Sequence, residues 1–152
     1  MKKRLLSLVL ALVMVCTMLP QITYPTKAAT GLPNSIYIAQ NTDYTCTLAS
    51  ITMMLRARMY LSGNDDWKQI SESSMRPIAW REGDGALWEF TYSSNGNTIS
   101  TFYKFVSGIS ISDLKAVLDN HPEGIVAYSG NRTHAVLVTD YEGDRFYCAD
   151  PA

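Results

Sequence analysis

The sequence predicts an α+β domain in which one buried helix packs on an antiparallel sheet. Three observations carry that expectation. Leu48, Ile51, Met54, Leu55 and Met59 recur at spacings of three and four, the repeat of one helix face. Near the end of the chain, Thr133 to Tyr141 and Arg145 to Ala149 alternate apolar and polar residues on either side of Gly143, the pattern of a β-hairpin. No strand–helix–strand alternation, which a parallel sheet would need, is present.

The elements follow in order. Lys2, Lys3 and Arg4 precede an apolar run from Leu5 to Leu19, and Thr26-Lys27-Ala28 is a small-x-small cleavage site. This is the organisation of a secretory signal peptide, with an apolar run short for a membrane span. Residues 1–28 are therefore expected to be removed, leaving 29–152 as one domain that is secreted or held at the cell envelope, without a membrane partner. Cleavage takes away four basic residues and no acid. The balance of 13 basic to 14 acidic residues becomes 9 to 14, or −5 with histidine neutral. With no basic stripe, nucleic acid is excluded as a natural partner.

Thr30 to Ala39 reads as an extended lead-in. The helix follows from Leu48 to Tyr60, with Cys46 where it begins, Asp43 or Thr45 as its cap, Arg56 and Arg58 on its exposed edge, and Ser62-Gly63-Asn64 as its stop. Trp67, Ile70 and Met75 suggest a short amphipathic helix ending before Pro77. Ala86 to Tyr92 and Thr98 to Val106 read as two strands joined at Asn95-Gly96, a strong hairpin signal. Ser112 is placed to cap a helix from Asp113 to Asn120, which His121-Pro122 ends. Gly124 to Tyr128 is a strand, so the sheet contains three strands from this half of the chain.

The chemistry gathers around Cys46. Backbone N–H groups at a helix N-terminus are unpaired and the helix dipole is positive there. Both favour the anionic form of a thiol, which attacks carbonyl carbon. Gln40 stands six residues upstream, where its amide can donate to an oxyanion formed at the cysteine. Of the two histidines, His121 is a helix-end residue, whereas His134 opens a strand. Folding the hairpin near Gly143 brings Asp150 roughly opposite His134, as a carboxylate to orient the imidazole. Asp140 and Asp144 are the rival carboxylates, but they fall near the turn. Cys148 falls within the alternating strand and reads as a buried residue.

The segments Q-N-T-D-Y-T-C-T-L-A-S-I-T-M-M-L, from Gln40, and T-H-A-V-L-V-T-D-Y-E-G-D-R-F-Y-C-A-D-P-A, from Thr133, resemble the two active-site blocks of papain-like cysteine peptidases. The nearest branch is the bacteriocin-leader, or double-glycine, peptidase family. The resemblance covers Gln40 to Leu55 and Leu114 to Ala152. It implies a papain-like fold continuing beyond Ala152, a peptide or protein substrate, no cofactor, and catalytic roles for Gln40, Cys46, His134 and Asp150. The family usually carries Asp-Cys-Gly, and this chain has Thr45-Cys46-Thr47.

Other readings of the same residues are a Cys46–Cys148 disulfide, a zinc set of Cys46, Cys148, His134 and Asp150, an inactive papain-like binding domain, and a cell-wall amidase or transpeptidase using the same Cys–His pair. No Cys-x-x-Cys pair supports the zinc set. Glu82-Gly83-Asp84-Gly85 lacks the lysine and the preceding strand of a phosphate loop.

Overall fold

The computed structural model describes residues 32–101, 107–129 and 133–152. The expected signal peptide, and the end of the expected strand from Thr98 to Val106, lie outside them. Helix α1, Cys46–Leu61, is the centre of the molecule. Leu48, Ile51, Met53, Leu55 and Met59 are almost fully buried, each contributing about 1.5–3 kcal/mol on leaving water. One side of α1 meets the sheet formed by β5, Ile125–Tyr128, β6, Ala135–Glu142, and β7, Arg145–Ala149, all antiparallel in that order. The other side meets 3-10 turns at Asn34–Ile36 and Asp65–Gln69 and helix α2, Glu72–Ala79. The fold is α+β with antiparallel pairing, as the sequence predicts.

Because α1 is covered on both sides, Arg56 does not sit on an exposed edge. It is buried, donates to the carbonyls of Ile70 and Ser35, and stacks 5.2 Å from the Trp67 ring centre. Burial pushes its pKa down. Arg58 does reach solvent, where it pairs with Glu123 at 3.1 Å. The stop is as expected: Ser62 N–H donates to Arg58 O, and Gly63 takes φ +74°, which glycine adopts at little cost.

The middle of the chain departs furthest from expectation. Helix α2 runs through Pro77 rather than ending before it. Ser71 caps α2 by accepting the Ser74 N–H, and Ser74 Oγ accepts the Ser71 N–H in return. The expected strand from Ala86 to Tyr92 is broken. Its start, β2, Gly85–Ala86, pairs with β1, Trp80–Arg81. The Thr101 hydroxyl then accepts the Phe90 N–H and bonds the Trp88 carbonyl, bending the chain between them. Only β3, Thr91–Ser94, and β4, Asn97–Ser100, form the expected hairpin, turning at Asn95 and Gly96 with φ +47° and +81°. Asp66 holds that turn through Ser94 Oγ and Asn95 Nδ2. Both small hairpins stand apart from the main sheet.

Helix α3, Ile111–Asn120, is capped by Ser110 rather than Ser112, because it begins two residues earlier than expected; Ser110 Oγ accepts the Asp113 N–H at 3.1 Å. Gly124 then approaches β6 closely. A Cβ there would lie 2.7 Å from Val138 O, and φ is +89°, so only glycine fits without strain. Among the described residues, no helix is long and apolar enough to cross a membrane.

Candidate active site

Cys46 is the first residue of α1 and is 7% exposed. The N-cap residue, Thr45, does not use its hydroxyl on the helix. That oxygen accepts the Thr42 N–H at 3.2 Å and donates to Thr42 O at 3.1 Å, closing a tight turn. The first-turn N–H groups of α1 thus receive no side-chain cap, which leaves them for an anion beside Cys46.

Two contacts lay this end of α1 against the start of β6. Ser50 Oγ donates to Ala135 O at 3.3 Å, and Thr47 Oγ1 shares a 2.9 Å hydrogen bond with the Tyr128 hydroxyl. Tyr128 pairs with Ala135 in the sheet, and Ser129 N–H donates to His134 O. Cys46 and His134 are therefore each one residue from a bond linking helix to sheet. Thr47, where relatives carry glycine by the resemblance above, is part of that link. Among the described residues, no hydrogen bond joins Cys46 Sγ to the imidazole.

His134 and Asp150 do meet. Nε2 of His134 lies 2.7 Å from Asp150 Oδ1, with the side chains 31% and 55% exposed. The Ala152 N–H, and after it His134, hold the Asp150 carboxyl below its ordinary range, although desolvation opposes them. An ionised Asp150 accepts only, so Nε2 carries the proton and donates it. That leaves Nδ1 as the acceptor nitrogen of a neutral ring. The rival carboxylates are occupied elsewhere: Asp140 accepts the Tyr141 N–H, and Asp144 pairs with Lys115 at 2.8 Å.

A β-bulge sets this pairing. From the turn, Glu142 pairs Arg145, Tyr141 pairs Phe146 and Asp140 pairs Tyr147. The register then shifts by one, so Val138 pairs Cys148 and Leu137 pairs Ala149. Thr139 is the extra residue, and its hydroxyl donates to Tyr147 O at 3.3 Å. Continued by one residue, the shifted register puts Asp150 opposite Val136, on the side of the sheet that alternation gives His134. Without the shift, Asp150 would oppose Leu137 and point to the other side.

Gln40 joins the group through its backbone. Its N–H donates to Pro151 O at 2.8 Å, so the loop before Cys46 and the segment carrying Asp150 are bonded together. Its side-chain Oε1 is buried with no donor. Sequence reasoning passed over one residue of this region. Glu72, at the start of α2, is 3% exposed and accepts the Asn41 N–H at 2.8 Å. No motif marks it, because it sits in the stretch between the two recognisable blocks.

Cys148 is an exposed strand residue rather than the buried one that its strand pattern predicts, and the two described cysteines are free thiols. Partial enclosure, and then the Asp150 charge, push its thiol pKa up. Among the described residues, no group of three or more His, Cys, Asp or Glu converges to hold a metal ion.

A family model described as the Peptidase_C39 like family matches residues 34–152. The chain belongs to that family. It is a papain-like cysteine peptidase family, and the observed α+β architecture agrees with it. Its members act on peptide or protein substrates. No curated protein and no solved structure matches the chain.

Proposed function

We propose that the chain is an exported cysteine peptidase whose site consists of Cys46, His134, Asp150 and Gln40. The observation that supports this reading most is the His134–Asp150 hydrogen bond, formed beside the uncapped helix start that carries Cys46. In this reading Cys46 Sγ attacks the scissile carbonyl, and the C=O electron pair moves onto oxygen. The Gln40 amide and the Cys46 backbone N–H stabilise that oxyanion, each donor contributing about 2.7–4 kcal/mol to the transition state. His134 Nδ1 takes the thiol proton and gives it to the leaving amine. Asp150 keeps Nε2 protonated and the ring oriented. Water then attacks the thioester with His134 as base, releasing the acid and restoring the thiol. Residues 1–28 direct export and are removed.

A peptidyl acyloxymethyl ketone with a reporter tag tests the site. It is expected to label the mature protein at Cys46, and the Cys46→Ala variant is expected to take no label. Labelling at Cys148 instead, or equal labelling of Cys46→Ala, would remove the basis for the proposal.

A further inference from the structure

We propose that Glu72 is a positioning residue that holds the loop bearing Gln40 at the distance the oxyanion requires. The inference rests on the peptidase reading and adds to it a residue outside both recognisable blocks.

Three consecutive backbone N–H groups of the loop before Cys46 each take a different anchor. Gln40 N–H donates to Pro151 O, Asn41 N–H to Glu72 Oε2, and Thr42 N–H to Thr45 Oγ1. The first anchor comes from the segment carrying Asp150, the third from the start of α1. Both belong to elements that already carry members of the site. The second comes from α2, which carries none of them. It is reinforced by Asn41 Nδ2, which donates to Ser73 Oγ at 3.3 Å. Remove Glu72, and the residue after Gln40 loses its one buried anchor.

Glu72 is an unusual choice for that task. Its Oε1 is buried and accepts from nothing, a condition shared by Gln40 Oε1 and by Glu123 Oε2. Burying an acceptor without a donor costs about 1–3 kcal/mol. Placement in the first turn of α2, at the positive end of that helix, offsets part of the cost of a carboxylate there. The bond that Glu72 does make is to the backbone that aims Gln40. A shift of about 1 Å in an aligned group costs on the order of 10²-fold in rate, so one buried anchor matters.

The test separates addition at sulfur from stabilisation of the oxyanion. Iodoacetamide alkylates the thiolate and forms no oxyanion. N-acetyl dipeptide aldehydes, ending in glycinal, alaninal, leucinal or argininal, add to the thiolate. A C–S bond forms, the carbonyl electron pair moves to oxygen, and that oxygen is held by the oxyanion donors. Glu72→Ala is expected to weaken binding of the best aldehyde by about 10- to 10²-fold while leaving the iodoacetamide rate at Cys46 unchanged. Glu72→Gln keeps an acceptor oxygen for the Asn41 N–H and is expected to restore most of the binding. In a Gln40→Ala background, Glu72→Ala is expected to add little, because the group it positions is gone. Should Glu72→Ala fail to fold, Glu72→Met fills the space without an acceptor oxygen and carries the same expectation.

Full aldehyde affinity in both the Ala and Met variants would overturn the proposal. So would an undiminished effect of Glu72→Ala on top of Gln40→Ala, or an equal loss of iodoacetamide reactivity. The failure of the peptidase reading looks different: aldehyde binding by the wild type would be absent, or unaffected by Gln40→Ala, and the proposal would fall with it.

Discussion

The two ends of α1 each face a histidine–carboxylate pair, and the two pairs have different surroundings. At the N-terminal end, His134 meets Asp150 at 2.7 Å. Past the C-terminal end, His121 Nδ1 meets Glu123 Oε1 at 3.3 Å, and Arg58 takes the same oxygen at 3.1 Å. The carboxylate at that second end is already neutralised by an arginine, and the nearby helix terminus is the negative one, which suits cations. The carboxylate at the first end is shared only with a backbone N–H, and the helix terminus beside it suits an anion. A His–carboxylate contact is thus common to both, and the orientation of α1 separates them. The far end also holds a surface depression, lined by Leu61, Leu118, Pro122 and Thr139.

The largest test of that contrast is to remove each histidine in turn. His134→Ala is expected to lower turnover of a peptide cleaved by the wild type by on the order of 10³-fold or more, since members of such a unit fail together. His121→Ala is expected to leave turnover unchanged. Equal losses would mean that the two ends are not distinct.

The carboxylates sharpen the comparison. Asp150→Ala is expected to lower kcat by about 10²-fold, whereas Asp150→Asn keeps an acceptor for Nε2–H and is expected to lose less. Glu123→Ala is expected to spare kcat and instead reduce stability by about 1–3 kcal/mol, read from urea midpoints, because it removes a buried acceptor for Arg58 and His121.

Gly124 offers a test at the far end alone. Gly124→Ala drives a Cβ towards Val138 O in a left-handed backbone, which is expected to cost about 1–3 kcal/mol. Well below the unfolding midpoint, labelling of Cys46 by the ketone probe is expected to match the wild type. A selective loss of labelling in folded protein would show that the two ends are coupled through β6.

The smallest effect concerns the second thiol. Enclosure and the Asp150 charge raise the pKa of Cys148, so its thiolate fraction is lower at any given pH than that of an unperturbed thiol. Alkylation of Cys148 in the Cys46→Ala variant is expected to stay slow through neutral pH and to rise only above the ordinary thiol range. Asp150→Asn removes the charge and is expected to shift that rise to lower pH. A shift in the opposite direction would contradict the placement of Cys148 beside Asp150.

The two recognisable blocks were legible because their signals are local. The three- and four-residue spacing of Leu48 to Met59 reports a helix face directly, and the strand from Arg145 to Ala149 appears where its alternation places it. Arg56 was misread because periodicity says which residues share a face and not what covers it. The strand from Ala86 to Tyr92 failed for a related reason. Its alternation is real, but the Thr101 hydroxyl competes for the backbone groups that a partner strand would have used.

By itself, the sequence determined a helix beginning at Cys46, a hairpin turning at Gly143, and a short set of candidates in Gln40, Cys46, His134 and Asp150. Those features follow from residue type and near-neighbour spacing. Tertiary structure alone decided three others. The bulge at Thr139 set the side of the sheet on which Asp150 emerges, because a one-residue shift reverses every side chain beyond it. The bond from Gln40 to Pro151 joined the two ends of the matched region across more than a hundred residues. The choice of Glu72 as the anchor for Asn41 depended on α2 folding back against the loop. The last two are contacts between segments far apart in the chain, and the bulge, though local, leaves no mark in the alternation of apolar and polar residues.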